Sequence, residues 1–318
     1  MNENKKIIGL VLAIVLCLIV LVLGAFLYFN KIATQPPNVE ETNNQINSTI
    51  SKSEYHYIKD ASIISETPDY TIYNLPFKVN DYEIDGELYL HKTNETIYKT
   101  VVISHGFAGN KNENRTNADF YATHGCAAYI FSYHNFYEGN ASRTFDYSLL
   151  TEMADLNAVI DGILEYDFTD RSRLFLAGYS QGGAVSALVA ATRPDDLRGI
   201  VLFYPALMIP DMARERYTSK DVIPETDTLW DSTVYRRYFL DAYDIDAYSE
   251  IAKFKKDVLL MQGDSDLIVP KSVGDKVSTV YDNCEYHVIE GAGHSFNNVA
   301  YNTNSMTVDF MERKIDNN

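Results

Sequence analysis

The stretch that decides the fold is Arg173-Leu-Phe-Leu-Ala-Gly178-Tyr-Ser180-Gln-Gly-Gly183-Ala-Val-Ser-Ala-Leu-Val-Ala-Ala-Thr192. It begins with a short apolar run typical of a strand buried on both faces, and it ends with an Ala- and Val-rich run typical of a helix. Between them lies Gly-x-Ser-x-Gly, a turn so tight that side chains near the serine must be absent. The arrangement predicts that the Ser180 hydroxyl projects at a helix N-terminus, where backbone N–H groups can receive negative charge.

Strands and helices alternate on both sides of this stretch. Short apolar or β-branched runs are predicted as strands, and stretches such as Leu149–Tyr166 are predicted as helices between them. The alternation indicates βαβ units around a mainly parallel sheet. The predicted strands are Tyr70–Val79, Tyr82–Leu90, Thr100–Ser104, Cys126–Ser132, Arg173–Gly178, Gly199–Tyr204, Asp257–Gln262 and Glu285–Ile289.

The N-terminal part differs from the rest in composition. Ile7–Phe29 is an uncharged apolar run of 23 residues, and as a helix it would measure roughly 35 Å, enough to cross a hydrocarbon core of about 30 Å. Lys5 and Lys6 precede the run and Lys31 follows it, a bias that favours a cytoplasmic N-terminus. A cleaved signal peptide is the alternative, although its apolar region is usually shorter.

The predicted organisation therefore has four parts. Residues 1–6 are a cytoplasmic N-terminus, 7–29 a transmembrane helix acting as an uncleaved signal anchor, 30–53 a flexible polar linker, and 54–318 a globular domain. We expect a single-pass protein of the cell membrane that contacts the bilayer through residues 7–29 and carries its domain outside the cytoplasm.

Charge and composition exclude several classes of function. The formal net charge is −17, which argues against a nucleic-acid partner. Three cysteines are too few for a disulfide scaffold or a Cys-rich zinc site, and the seven histidines show no H-E-x-x-H spacing. We expect neither a metal nor an organic cofactor. The sequence carries no signal for the oligomeric state.

A serine hydroxyl needs a base to act as a nucleophile near pH 7. The best candidate is His294, in the glycine-rich run 291–296 after the last predicted strand, whereas His287 lies inside that strand and is interpreted as structural. The imidazole in turn needs an acid that fixes its tautomer. Asp264 and Asp266 compete for this role in the loop 263–270, and we favour Asp266 because Asp264 sits in a tight turn where it can bond to backbone.

An oxyanion needs two N–H donors beside the nucleophile. One is predicted at Gln181, directly after the serine. The other is predicted at Phe107, in the loop His105-Gly-Phe-Ala-Gly109 after the strand Thr100–Ser104. His105 is interpreted as a side chain that organises this loop.

With these segments in place, the sequence resembles the serine α/β-hydrolases over roughly residues 70–315. Within them it is most similar to bacterial cinnamoyl (feruloyl) esterase-like carboxylesterases. The motifs that carry the resemblance are His105–Lys111, Gly178–Gly183, Gly263–Pro270 and Gly291–His294.

The resemblance implies an α/β-hydrolase fold over residues 54–318. Its mostly parallel sheet has eight strands in the order 1-2-4-3-5-6-7-8, with helices on both faces and a cap insertion of about residues 206–250 between strands 6 and 7. In that order the strands of Cys126 and Cys284 lie far apart, so both are predicted to be free thiols. The resemblance also assigns Ser180 as nucleophile, His294 as base and Asp266 as orienting acid.

The expected function is hydrolysis of carboxylic esters through an acyl-serine, with aromatic hydroxycinnamoyl-type or short acyl groups on a small-molecule substrate. A serine peptidase or thioesterase of the same fold is the alternative. A second alternative is a non-catalytic surface-binding protein of this fold. A missing member of the triad would indicate it. Aromatic residues of the insertion either contact the acyl group or pack the cap itself. They are Tyr217, Trp230, Tyr235, Tyr238 and Tyr243.

Overall fold

The computed structural model describes residues 61–79, 82–134, 144–296 and 302–316. The predicted anchor 7–29 and linker 30–53 lie outside the described residues. Among the helices that are described, none is long and apolar enough to cross a membrane.

The described residues contain fourteen strands and eight α-helices. The strands are β1 Ser62–Glu66, β2 Tyr70–Asn74, β3 Phe77–Val79, β4 Tyr82–Ile84, β5 Gly86–His91, β6 Tyr98–Ser104, β7 Cys126–Phe131, β8 Thr144–Phe145, β9 Thr169–Tyr179, β10 Gly199–Phe203, β11 Thr226–Leu229, β12 Ser232–Tyr235, β13 Asp257–Gly263 and β14 Cys284–Ile289. The helices are α1 Arg115–Thr123, α2 Leu149–Leu164, α3 Gln181–Thr192, α4 Ile209–Arg216, α5 Arg237–Ala242, α6 Ala247–Ile251, α7 Lys271–Val280 and α8 Thr303–Asp316.

Nine of the strands form one central sheet in the order β1-β2-β5-β7-β6-β9-β10-β13-β14. From β7 to β14 all neighbours are parallel, whereas β1, β2 and β5 are antiparallel to their neighbours. Without β1, this is the predicted order 1-2-4-3-5-6-7-8. The α/β-hydrolase fold is therefore confirmed.

The sheet differs from the prediction at its N-terminal edge. The additional strand β1 is exposed at all five residues, and its two isoleucines, Ile63 and Ile64, are adjacent and so do not give the alternating pattern of a half-buried strand. The first predicted hairpin also divides in two: β2 pairs with β5, and β3 pairs with β4. Leu75 and Pro76 separate β2 from β3, and proline cannot donate to a continuing strand ladder.

Burial explains why the central strands read as continuous apolar runs. Every residue of β7 and β10 is buried, because helices cover both faces of the parallel part of the sheet. Helix α3 is buried from Gln181 to Ala191 and packs on β9 and β10. Cys126 and Cys284 begin β7 and β14, with four strands of the sheet between them, and both are free thiols as predicted.

The insertion lies between β10 and β13, as the fold prediction placed it. It contains α4, the hairpin β11–β12 and α5, and strand β12 also pairs with the short β8 in a separate three-stranded sheet. Helix α6 lies at the C-terminal end of the insertion and packs against α3. The insertion thus stands beside the C-terminal ends of β6, β9 and β13, where the predicted site residues lie.

Candidate active site

Ser180 occupies the turn between β9 and α3 in a backbone conformation that a serine rarely adopts, with φ 53° and ψ −117°. Its N–H donates to the Phe203 carbonyl at 2.9 Å, and its own carbonyl accepts from the N–H of Gly183 at 3.0 Å and of Ala206 at 2.9 Å. These bonds hold the strained turn in place, and such strain is typical of functional sites.

The two glycines of Gly-x-Ser-x-Gly are required by contact. A Cβ at Gly178 would lie 2.4 Å from the Gly182 carbonyl oxygen, and a Cβ at Gly182 would lie 2.3 Å from that of His105. No side chain fits at either position. The contacts confirm the prediction that side chains near the serine must be absent.

His294 and Asp266 are joined by a hydrogen bond of 2.8 Å between Nδ1 and Oδ2. The other carboxylate oxygen of Asp266 accepts from the N–H groups of Ile268 at 2.8 Å and Val269 at 3.0 Å. Burial alone would raise the pKa of Asp266, but the hydrogen bonds from His294 and the two backbone groups outweigh it and hold the pKa below its usual value. The ionised carboxylate fixes the proton of His294 on Nδ1 and leaves Nε2 as an acceptor.

The competing Asp264 lies in the same loop but does not face His294. It is exposed, and its Oδ1 accepts from the Gly291 N–H at 2.8 Å. The structure therefore brings Asp266 to His294 and uses Asp264 to brace the loop that carries the histidine. The other alternative base, His287, bonds to Glu285 within β14.

Ser180 and His294 line one cavity of about 830 Å³. Within the described residues no hydrogen bond joins the serine hydroxyl to the imidazole, a bond that in free enzymes is often long and shortens on substrate binding. The His294 ring packs against Tyr204 with centroids 4.5 Å apart. Ser295, directly after the histidine, has a φ of 66°.

Two backbone N–H groups beside the serine have no acceptor among the described residues: those of Phe107 and Gln181. The Phe107 loop lies against the serine, because a Cβ at Gly106 would be 3.4 Å from the Ser180 Cβ. The next N–H along, that of Ala108, donates to the Tyr147 hydroxyl at 2.9 Å. The pair beside the serine is suited to an oxyanion.

His105 organises the Phe107 loop, as its position in the sequence suggests. Its Nδ1 lies 2.8 Å from the Gly106 carbonyl oxygen, and its Nε2 accepts from the Tyr133 N–H at 3.3 Å. Burial lowers the pKa of His105 to about 4, so this imidazole is neutral.

The cavity has an aromatic and a polar wall. The aromatic wall includes Phe107 and Trp230, whose ring centroids lie 4.9 Å apart, and Trp230 sits at the tip of the β11–β12 hairpin with a φ of 51°. Of the five aromatic residues named in the insertion, Trp230 alone is among the described residues that line the cavity. The polar wall contains Glu113, Asn114, Asn117, Ser295 and Thr303.

A buried chain of hydrogen-bonded side chains under the serine was not predicted from the sequence. Gln181 Nε2 donates to Glu152 Oε2 at 2.7 Å, and the Tyr238 hydroxyl donates to Gln181 Oε1 at 2.7 Å. One signal was available: Glu152 lies at helical spacing from Leu149 and Leu156, on the apolar face of α2.

The bond between the partly exposed His134 and the buried Asp155 is not indicated by the sequence either. His134 Nδ1 lies 2.8 Å from the Asp155 carboxylate, which also accepts from the Tyr82 hydroxyl at 2.9 Å. Because Asp155 lies 21 residues from His134 on another element, the sequence offered no spacing that relates the two.

A serine on a strand-to-helix turn, a histidine bonded to a buried aspartate, and two N–H donors at the ends of parallel strands define an α/β-hydrolase. A family model described as the prolyl oligopeptidase family matches residues 150–318, more than half of the chain. The chain therefore belongs to the prolyl oligopeptidase family.

Solved structures share the fold at low sequence identity. Est1E from Butyrivibrio proteoclasticus is 23% identical with a TM-score of 0.67, and the match covers 76% of this chain and 99% of that chain. The structure of Est1E with ferulic acid bound is 24% identical with a TM-score of 0.68, and the match again covers 76% of this chain and 99% of that chain. An acetyl xylan esterase from Paenibacillus sp. R4 is 17% identical with a TM-score of 0.59, covering 80% of this chain and 88% of that chain. No curated protein sequence matches the chain.

Proposed function

We propose that the chain is a serine hydrolase that cleaves carboxylic esters. The observation that carries the proposal is the 2.8 Å bond between His294 and the buried Asp266, in the cavity where the strained turn presents Ser180. The esterases among the structural neighbours support ester chemistry over other uses of the fold.

In the proposed reaction, Ser180 Oγ attacks the ester carbonyl carbon while His294 Nε2 takes the hydroxyl proton. The N–H groups of Phe107 and Gln181 stabilise the tetrahedral oxyanion, and Asp266 stabilises the imidazolium. Collapse of the tetrahedral species breaks the bond to the alcohol, which leaves with the proton from His294. Water then attacks the acyl-serine, with His294 as base, and the free acid is released.

We propose that the acyl group lies against the aromatic wall of the cavity. Trp230 and Phe107 offer ring edges and faces to an aromatic acyl group of the hydroxycinnamoyl type, and the cavity also admits short acyl groups. The ferulic acid bound to one structural neighbour, Est1E, supports the aromatic choice.

A serine peptidase is the second candidate, favoured by membership of the prolyl oligopeptidase family. A panel of p-nitrophenyl acyl esters, hydroxycinnamoyl esters, thioesters and aminoacyl anilides separates the candidates on the full-length protein. We expect ester turnover to exceed anilide turnover by orders of magnitude in kcat/KM. Preferential anilide cleavage would refute the esterase and favour the peptidase.

We propose that the protein is anchored in the cell membrane through residues 7–29, with the hydrolase outside the cytoplasm. The support is the length and hydropathy of the run and the lysines before it. Full-length protein is expected to sediment with membranes and to resist extraction by carbonate. Recovery of the full-length chain in the soluble fraction would refute the anchor, and release of a chain starting near Ala25 would favour a signal peptide.

A further inference from the structure

The buried chain under the serine connects the insertion to the proposed oxyanion site. Tyr238 belongs to α5 of the insertion, Gln181 is the first residue of α3, and Glu152 belongs to α2. All three are almost completely buried, with exposures of 1%, 1% and 2%. The bonds Tyr238–Gln181 and Gln181–Glu152 are both 2.7 Å long.

The Gln181 side chain is held at both of its polar ends. Its amide oxygen accepts from the insertion and its amide nitrogen donates to α2, so the side chain has one position that satisfies both bonds. The backbone N–H of the same residue is the proposed oxyanion donor. Fixing the side chain therefore fixes the orientation of the peptide that carries this N–H.

A second hydrogen bond joins the two helices that carry Glu152 and Tyr238. Ser148 caps α2, three residues before its Thr151 partner, and its hydroxyl donates to Asp241 of α5 at 2.5 Å. This bond fixes the position of α2 relative to α5. Glu152 contacts Gln181 from α2, and Tyr238 contacts it from α5.

Glu152 lies in surroundings that disfavour its charged form. Burial raises the pKa of Glu152 well above its usual value, and the titratable groups that act on it or face it are Asp155, Tyr133 and Tyr238, none of them cationic. The protonated form that burial favours can still accept the Gln181 bond, and this form adds no negative charge next to the residue that must stabilise an oxyanion.

We propose that Glu152 and Tyr238 are positioning residues that act through the Gln181 side chain to aim its N–H at the oxyanion, so that the insertion is part of the catalytic arrangement. This inference rests on the proposed function. It predicts that the two residues contribute to transition-state stabilisation and not to substrate binding.

The test compares Glu152→Leu, Glu152→Gln and Tyr238→Phe in ester hydrolysis by the full-length protein. Loss of a whole oxyanion donor costs about 10²–10³ in kcat, and a misdirected donor is expected to cost about tenfold. We expect that loss in Glu152→Leu with KM nearly unchanged, recovery of most of it in Glu152→Gln, which keeps an acceptor for Gln181, and a smaller loss in Tyr238→Phe.

A second readout separates positioning from general destabilisation. The affinity for a trifluoromethyl ketone, which forms a tetrahedral adduct with the serine, is expected to fall with kcat, while the affinity for the product acid is retained. Tyr129→Phe is the matched control, since it removes a buried hydroxyl that donates to the Leu75 carbonyl oxygen away from the cavity, and it is expected to lower only thermal stability.

Two outcomes would overturn the proposal, and a third would refute the function on which it rests. Wild-type kcat in both Glu152→Leu and Tyr238→Phe would overturn it, as would a parallel fall in ketone and product affinity. Should Glu152→Leu not fold, Tyr238→Phe and Glu152→Gln carry the same comparison. Wild-type protein that neither reacts with a fluorophosphonate nor hydrolyses esters would instead refute the proposed function on which the inference rests.

Discussion

Replacing Asp266 by asparagine tests the proposed triad at the position for which the sequence offers a competitor. Two backbone N–H groups donate to Oδ1 of the carboxylate, and His294 Nδ1 donates to Oδ2, which also accepts a longer bond of 3.5 Å from Gln262 Nε2. Asparagine has a single oxygen there. That oxygen stays with the two backbone donors, because an NH₂ group turned toward them would leave buried donors facing each other. The NH₂ group must therefore face His294.

This orientation reverses the tautomer of the histidine. Nδ1 of His294 must now accept a hydrogen bond, so its proton moves to Nε2, the nitrogen that should take the proton of Ser180. We expect Asp266→Asn to lower kcat by about 10³–10⁴, by analogy with loss of an orienting triad acid. The loss corresponds to about 4–5.5 kcal/mol of activation free energy. The fold is expected to survive, since both backbone bonds remain.

Asp264→Asn is the matched control for this substitution. Asp264 accepts from the Gly291 N–H at 2.8 Å on the protein surface, and asparagine keeps an oxygen for this bond but loses the charge, so the replacement is expected to cost at most about 1 kcal/mol of stability and less than about threefold in kcat. The assay is p-nitrophenyl ester hydrolysis under saturation, with thermal melting of both variants. A larger loss of kcat in Asp264→Asn, or full activity of Asp266→Asn, would refute the assignment.

Three further predictions follow from the site. A fluorophosphonate probe is expected to label wild-type protein but not Ser180→Ala, and equal labelling would contradict the nucleophile. Because the pKa of Glu152 is raised on folding, the native state holds a proton that the unfolded state releases above about pH 4.3, so this group lowers the stability as the pH rises above that value. Chemical denaturation is thus expected to find Glu152→Gln more stable than wild type at pH 8, with the difference vanishing near pH 4; a constant difference would speak against a raised pKa. Trp230→Ala is expected to lower kcat/KM for hydroxycinnamoyl esters about tenfold while sparing acetyl esters, and an equal loss for both would show that the ring does not contact the acyl group.

The sequence sufficed for those parts of the structure that depend on local signals. Parallel strands buried on both faces appear as continuous apolar runs. The serine turn is recognisable because contact with neighbouring backbone leaves room only for glycine at Gly178 and Gly182. The local rule for Asp264 and Asp266 is weaker, because both aspartates accept bonds from backbone N–H groups and only Asp266 also bonds to His294.

What the sequence could not predict depends on contacts between distant segments. Strand β1 forms only because β2 offers it an edge, and its exposed residues give no alternating apolar pattern. Tyr238 and Gln181 lie 57 residues apart, and their bond requires the insertion to fold over α3. Composition does not show which aromatic ring of the insertion reaches the cavity. Trp230 does so because it lies at the tip of the β11–β12 hairpin.

The contacts that place the insertion also constrain how substrate reaches the serine. The insertion is joined to the rest of the domain by the Tyr238–Gln181 bond, by the Asp241–Ser148 bond and by the pairing of β12 with β8. If it swung away as a rigid lid, the buried groups of Gln181 and Ser148 would lose their partners, at about 1–3 kcal/mol for each unsatisfied group. Two such groups cost about 2–6 kcal/mol together, so opening of the whole insertion would be populated in at most a few molecules in a hundred. We therefore expect substrate to enter with the insertion in place, past Trp230, whose side chain is partly exposed at the cavity.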